Sequence, residues 1–161
     1  MPALKIKQYL DDHNVKYVTI KHSPAFTAQE VAASAHIPAK SFAKTVVVKL
    51  DREMAMVVLP ASQRVDFELL KRAAGAKGVD LATEQEFKNM FPESEAGAMP
   101  PFGHLYGMVV YGSNALGKDK EITFNAGSHK ELIRMQWADF VRLVKPKLAL
   151  IAADELAAVA R

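Results

Sequence analysis

The feature that most constrains the fold is the apolar run at residues 42–50, Phe-Ala-Lys-Thr-Val-Val-Val-Lys-Leu. A continuous, valine-rich run of this length is typical of a strand buried on both faces, so it predicts the centre of a sheet. Lys44 lies near the start of the run. Because lysine is rarely buried, Lys44 either has a functional role or lays its stem on the core and keeps its ammonium in water.

Further helices and strands are predicted on both sides of this run. We predict helices at 4–13, 27–37, 66–75, 83–90 and 137–144, and strands at 17–20, 54–60, 79–82, 106–111, 121–125 and 132–136. Only a short polar turn separates the strand at 54–60 from the central run, which predicts an antiparallel hairpin. Because several strands follow one another directly, the order favours a mixed α/β (α+β) fold: a central, largely antiparallel, barrel-like sheet flanked by helices.

The length of 161 residues fits a single domain over residues 1–161. The alanine-rich tail at 147–161 predicts a short C-terminal helix. No apolar run approaches the roughly 20 residues of a membrane-spanning helix, and the N-terminus lacks the features of a signal peptide. The chain has no cysteine, which excludes disulfides and thiolate catalysis and fits a cytoplasmic location.

Charge is distributed unevenly along the chain. The net charge is +3, but residues 1–52 carry eight Lys or Arg against four acids, leaving −1 for the remainder. A basic region near Lys44 would suit a polyanion such as RNA. On charge alone, ordinary solvated lysines remain the favoured explanation, since the chain has no arginine-rich run or aromatic RNA-binding motif.

The sequence lacks the common catalytic motifs. There is no G-x-S-x-G elbow, Walker A loop or G-x-G-x-x-G motif, and the five histidines lack metal-ligand spacing. We therefore expect no metal and no cofactor. The acidic pairs Glu84/Glu86 and Glu93/Glu95 are interpreted as solvated. Three candidate segments remain: Lys44 on its strand, the Gly/Pro-rich loop at 92–103, and residues 125–129, in which His129 is either a polar site residue or a capping or surface histidine.

Taken in order, these segments resemble the YbaK/ProX family of aminoacyl-tRNA deacylases, which is related to the editing insertion domain of bacterial prolyl-tRNA synthetase. The resemblance rests on Ala-Lys-Thr at 43–45, Gly-Ala-Met-Pro-Pro-Phe-Gly at 97–103 and Phe-Asn-Ala-Gly-Ser-His at 124–129. It covers about residues 15–146. Residues 91–95 depart from the Thr-Gly signature of the Cys-tRNA-editing branch, so the chain looks closer to the Ala-tRNA(Pro) deacylase-like branch.

The resemblance implies a function and a set of site residues. Lys44 matches the family's functional lysine and is the expected catalytic residue. The expected substrate-binding residues are Gly97, Ala98, Met99, Pro100, Pro101, Asn125, Gly127 and His129. The expected reaction is hydrolysis of the ester in a mischarged tRNA that carries a small amino acid such as alanine. The expected partners are the acceptor end of aminoacyl-tRNA and a synthetase, but neither DNA nor a membrane.

Lys44 could act in two ways in such a site. Its ammonium could hold the tRNA terminus or the carbonyl oxygen, or a desolvated lysine could act as a general base. Two other functions are compatible with the sequence: a non-catalytic module that binds tRNA or a synthetase, and a lysine Schiff-base enzyme. The second is disfavoured because nothing resembles a cofactor phosphate site.

Overall fold

The computed structural model describes residues 4–22, 28–35, 37–92, 94–95, 98–118 and 120–154. The helices are α1 (Leu4–Asp12), α2 (Ala28–Ser34), α3 (Phe67–Ala74), α4 (Glu84–Phe87) and α5 (Trp137–Val144). The strands are β1 (Tyr17–Lys21), β2 (Phe42–Leu50), β3 (Glu53–Pro60), β4 (Gln63–Val65), β5 (Val79–Leu81), β6 (Val109–Ser113), β7 (Glu121–Ser128), β8 (Glu131–Gln136), β9 (Lys147–Ala149) and β10 (Ala152–Asp154).

Eight strands form one curled, mixed sheet. Its order is β1-β8-β7-β2-β3-β6-β9, and β5 pairs with β2 off this path. Strand β2 pairs antiparallel with β3, and β7 pairs antiparallel with β8. The pairs β2–β7, β3–β6 and β6–β9 are parallel. A separate two-stranded sheet joins β4 and β10. The predicted mixed α+β fold with a barrel-like sheet is confirmed.

Strand β2 lies at the centre of the sheet, as its apolar run predicts. It pairs with β3 from Ala43–Pro60 to Leu50–Glu53, which confirms the predicted hairpin. Its side chains enter different core clusters: Val47 packs into the main cluster and Val48 into a second one. Alternate residues of a strand point to opposite faces, so this division shows directly that β2 is buried on both sides.

The main core lies between the sheet, α1, α5 and the segment at 91–108. At its centre the ring centroid of Phe102 lies 5.5 Å from those of both Phe124 and Phe140. Aromatic pairs at these separations stabilise a core beyond the apolar area that they bury. Because Phe102 belongs to the Gly/Pro-rich loop, this loop is held by the core at its C-terminal end.

The sequence predicts a helix cap at Asp66, a helix end near Gly75 and Thr-x-x-Glu capping boxes at 27–30 and 83–86. These signals are confirmed where the structure describes them. The Asp66 side chain accepts a hydrogen bond from the amide of Leu69 at the start of α3, and Gly75 ends that helix with φ 67°. Thr83 and Glu86 form a reciprocal capping box at the start of α4. The predicted box at Thr27 lies outside the described residues.

Two predictions about secondary structure are wrong. The strand expected at 106–111 begins only at Val109, because Gly103–Tyr106 forms a 3-10 turn that Gly107 closes with φ 74°. The helix expected over 147–161 is contradicted at 147–154, where β9 and β10 form. Ile151, between them, is fully buried in the second core cluster, so burial and strand pairing override the helix propensity of alanine. Residues 155–161 lie outside the described part of the chain.

In the described ranges, no helix combines the length and apolar character that crossing a membrane requires.

Candidate active site

Lys44 and Asn125 occupy equivalent positions on two neighbouring strands. The last parallel pair between β2 and β7 joins Ala43 to Phe124, so Lys44 and Asn125 are the next residues along each strand. Ala43 and Phe124 both pack into the main core cluster. Because side chains alternate along a strand, Lys44 and Asn125 both point to the opposite face of the sheet. The structure thus brings two predicted site residues together at the point where this pairing ends.

The two side chains differ in their surroundings. Lys44 is partly buried. Asn125 is 9% exposed, and among the described residues its Oδ1 has no hydrogen-bond partner. Buried amide oxygens are normally paired, because leaving one unpaired costs free energy. A ligand group that donates to Asn125 is therefore one way for this acceptor to be satisfied.

A β-bulge follows Asn125. The register between β7 and β8 shifts between Asn125 and Ser128, and Gly127 has φ 102°, which side-chain-bearing residues rarely adopt. Bulges redirect the chain and its side chains, and they are common beside active sites. Here the bulge turns the end of β7 towards the Gly/Pro-rich loop.

Backbone hydrogen bonds join the loop to the bulge. The amide of Gly127 donates to the carbonyl oxygen of Ala98 at 2.9 Å, and the amide of Glu95 donates to the carbonyl oxygen of Gly127 at 2.7 Å. The amide of Ala98 in turn donates to the carbonyl oxygen of Glu95 at 3.0 Å. The two predicted segments, about 30 residues apart in sequence, are therefore one structural unit.

The loop residues are buried rather than displayed. Ala98, Met99, Pro100 and Pro101 are all buried, and Met99 packs into the main core cluster. The carbonyl oxygen of Pro100 accepts from the amide of Phe102 at 2.8 Å. Because the side chain of Met99 is part of the core, it fixes the loop to the core and is not displayed at the surface. Gly97 lies outside the described residues.

His129 lies in the turn after β7, beside the carboxylate of Glu95, which is predicted to be solvated and is exposed in the fold. His129 is 8% exposed, and its Nε2 lies 3.9 Å from Oε2 of Glu95. When protonated, His129 would form an ion pair with Glu95 across the junction of loop and bulge. No sequence motif links these residues, so Glu95 could be recognised only once the fold placed it there. Ser94 is a second residue that no sequence motif identifies. Its hydroxyl is buried, and its Oγ has no hydrogen-bond partner among the described residues.

The arrangement suits hydrolysis of an activated bond. It offers one cation, an amide oxygen, an imidazole next to a carboxylate, and a rigid backbone loop, which can orient a substrate and stabilise developing charge. Throughout the described ranges, no three His, Cys, Asp or Glu side chains are grouped closely enough to hold a metal ion.

Two grooves in the described part of the chain lie away from these residues. One, of about 760 Å³, lies between the β2–β3 turn and the end of α3, and the other, of about 300 Å³, lies beside Lys40 and Lys118. Neither is lined by Lys44, by the loop at 98–101 or by His129. The candidate site is therefore recognised by its side chains and topology, not by cavity size.

Comparison with known proteins gives a consistent result. A model of the aminoacyl-tRNA editing domain family matches residues 22–143. No curated protein matches the chain. Among solved structures, a hypothetical protein superposes with a TM-score of 0.83 at 20% identity, covering 92% of this chain and 99% of that one.

Two other solved structures share the fold. A candidate trans-editing enzyme for prolyl tRNA synthetase has a TM-score of 0.79 at 20% identity, covering 94% of this chain and 97% of that one. A candidate signal transduction protein from Marinobacter aquaeolei VT8 has a TM-score of 0.71 at 17% identity, covering 92% of this chain but only 30% of that one. The same fold thus also occurs as part of a longer protein.

Proposed function

The chain belongs to the aminoacyl-tRNA editing domain family, and from this we propose that it is a trans-editing deacylase that hydrolyses mischarged tRNA carrying a small amino acid. Ala-tRNA(Pro) is the substrate that we put first. The likeness in fold to a protein described as a candidate trans-editing enzyme for prolyl tRNA synthetase supports this choice. The same likeness makes a prolyl-tRNA synthetase the partner to test first. A cytoplasmic location of the protein fits a tRNA substrate.

The observation that carries the proposal is the placement of Lys44 beside Asn125 at the end of the β2–β7 pairing. A cation next to an amide oxygen can hold two different parts of an aminoacyl ester. We assign the Lys44 ammonium to the ester carbonyl oxygen or the tRNA terminus. Asn125 Oδ1 is assigned to a donor on the substrate, either its ammonium or a ribose hydroxyl.

Partial burial of Lys44 favours the ammonium role over the general-base role. A lysine acts as a base when burial removes it from water, whereas Lys44 keeps part of its surface exposed. An ester is already an activated bond, so charge stabilisation and positioning supply much of what hydrolysis needs. The attacking oxygen then comes from water or from a ribose hydroxyl of the substrate.

The remaining predicted residues form the walls of the site in this proposal. The loop at 98–101 and the bulge at Gly127 place backbone against the aminoacyl group and limit the size of the side chain that it can carry. His129, with Glu95 beside it, binds the polar part of the substrate. Discrimination by size is worth about 1–3 kcal/mol per methylene, so such a site rejects larger amino acids by exclusion.

The test is deacylation of a small panel of mischarged tRNAs, Ala-tRNA(Pro) included, by wild type and Lys44→Ala. The matched control is Lys49→Ala, which removes a lysine from the same strand. Lys49 binds Glu86 at 2.5 Å at the protein surface, away from the candidate site. We expect selective hydrolysis that Lys44→Ala abolishes and Lys49→Ala preserves.

Other outcomes would lead to different conclusions. Hydrolysis that survives Lys44→Ala would keep the function and move the catalytic group elsewhere. If wild type bound tRNA but hydrolysed no member of the panel, the non-catalytic binding module would replace the deacylase.

A further inference from the structure

Helix α1 contacts the Gly/Pro-rich loop and the start of β8, although it precedes residues 22–143, which the family model matches. On one side, Lys7 forms a salt bridge with Glu131, next to the turn that carries His129. On the other side, the hydroxyl of Tyr9 lies 2.9 Å from Nε2 of His104, a hydrogen bond that joins residues 95 positions apart. A single short helix thus contacts the Gly/Pro-rich loop and also the strand that follows the turn of His129.

The contact of α1 with the Gly/Pro-rich loop is tightly packed. The ring centroid of Tyr9 lies 5.6 Å from that of His104 and 5.9 Å from that of Phe102, both edge-on. A pocket of about 10 Å³, lined by Ile6 and Pro100 among others, lies between α1 and the loop. That volume holds about one water molecule at most, so this contact has little free volume into which the loop could move.

The loop is therefore held from two sides. Its front is joined to the bulge by the hydrogen bond between Gly127 and Ala98, and its back rests on Tyr9 and His104. Close-packed interfaces of this kind transmit displacement, because neither side has free volume to absorb it. A change at the back of the loop then reaches the backbone that faces the substrate.

We propose that Tyr9 and His104 are positioning residues that set the size of the aminoacyl group the site accepts, by fixing how far the loop at 98–102 projects into it. This inference rests on the proposed function, since it assumes that the loop meets the aminoacyl group. A pocket can favour one amino acid over another that is one methylene larger by about 10- to 200-fold. For this the position of the pocket wall must be fixed to within a fraction of a bond length. Helix α1 supplies that support from outside the segment that the family model covers.

The experiment compares Tyr9→Phe with Tyr17→Phe. The first variant removes the hydroxyl that bonds His104 and keeps the ring. The second also removes a tyrosine hydroxyl bonded to another residue, but that bond runs to Asp11 of α1 at 3.0 Å and does not reach the loop. Binding is measured with amide-linked alanyl-adenosine and with an amide analogue carrying a larger side chain, since neither can be hydrolysed. Kinetic constants, kcat and KM separately, are measured with the corresponding charged tRNAs.

We expect Tyr9→Phe to reduce the preference for the alanyl analogue about fivefold, the factor that corresponds to one lost hydrogen bond, and to change KM more than kcat. Tyr17→Phe should leave the preference unchanged. His104→Gln should shift the preference in the same direction, and the double variant with Tyr9→Phe should be no worse than either single change, because the two residues act as one pair.

An unchanged preference in folded Tyr9→Phe would overturn the inference, as would an equal shift in Tyr17→Phe. Wild-type protein that binds the alanyl analogue selectively but hydrolyses no charged tRNA would defeat the proposed function, and the binding comparison would still decide the role of Tyr9. Wild-type protein that binds neither analogue and hydrolyses no charged tRNA would overturn both.

Discussion

The amide of Gly127 donates a hydrogen bond of 2.9 Å to the carbonyl oxygen of Ala98, and this bond joins the two loops of the candidate site. Gly127 can do so because its φ of 102° turns the chain at the bulge in β7. The loop and the bulge are therefore one unit, and a substitution in either should affect both.

Gly127→Ala tests this coupling. A side chain at φ 102° is strained by roughly 1–3 kcal/mol, so we expect lower stability together with a loss of deacylation. The control is Gly75→Ala, which also places a side chain at positive φ, 67°, but at the end of α3, where a Cβ would meet nothing within 4 Å. Urea unfolding and deacylation are measured for both. Equal activity in the two variants at equal stability would contradict the coupling.

Lys44→Arg distinguishes the two roles of Lys44. Arginine keeps the positive charge but cannot act as a base, because it stays protonated. If the ammonium stabilises charge, Lys44→Arg should retain more activity than Lys44→Ala, for which the loss of one such group predicts about 10²- to 10³-fold lower kcat. Single-turnover deacylation measures both. Equal loss in the two variants would instead favour the general-base role.

His104 predicts a specific pH dependence of stability. Burial, followed by the nearby charge of His13, lowers the pKa of His104 below its ordinary value of 6.5. The folded protein therefore binds this proton less readily than the unfolded chain does. The contribution of His104 to the free energy of unfolding is fully present above about pH 6.5 and is lost as the pH falls through the lower folded pKa.

Two charged neighbours act on the Tyr9–His104 pair. His13, which follows α1, acts on His104, and Arg142 of α5 acts on Tyr9. Proton NMR titration of His104 should give a midpoint below 6.5, and urea unfolding should show a smaller acid loss in His104→Gln than in wild type. A midpoint at or above 6.5 would refute the prediction.

The C-terminal segment supports the second core cluster. Ile151 is fully buried, whereas its neighbour Leu150 is 58% exposed. Truncation of a buried isoleucine to alanine typically costs about 2–5 kcal/mol, so Ile151→Ala should unfold at markedly lower urea concentration. Leu150→Ala serves as the control and should change stability by less than about 0.5 kcal/mol. Similar midpoints for the two variants would show that residues beyond 146 contribute little to the core.

Local signals predicted several elements well. The valine-rich run at 42–50 has few alternatives to a central strand, and the helix at Trp137–Val144 has the predicted bounds. The cap at Asp66 and the box at Thr83 depend only on neighbours within four residues. These features are decided by short-range sterics and hydrogen bonding, so they can be identified in the sequence itself.

Other features depend on contacts between distant residues. Alanine content predicted a helix at the C-terminus, but pairing of β10 with β4 and burial of Ile151 favour strands at 147–154. The placement of Glu95 beside His129 follows from a bulge and a loop that the sequence does not show to be in contact. Propensities of a few tenths of a kcal/mol per residue are easily outweighed by burial of a whole side chain.

The sequence by itself determined the central strand with Lys44, the hairpin, most helices and the family to which the chain belongs. Only the tertiary structure decided that Lys44 lies beside Asn125 and that the amide of Gly127 bonds the carbonyl oxygen of Ala98. It also decided that the hydroxyl of Tyr9 bonds His104 behind the loop. The physical reason is range: strand and helix signals act over a few residues, whereas these contacts depend on register and packing across the whole sheet.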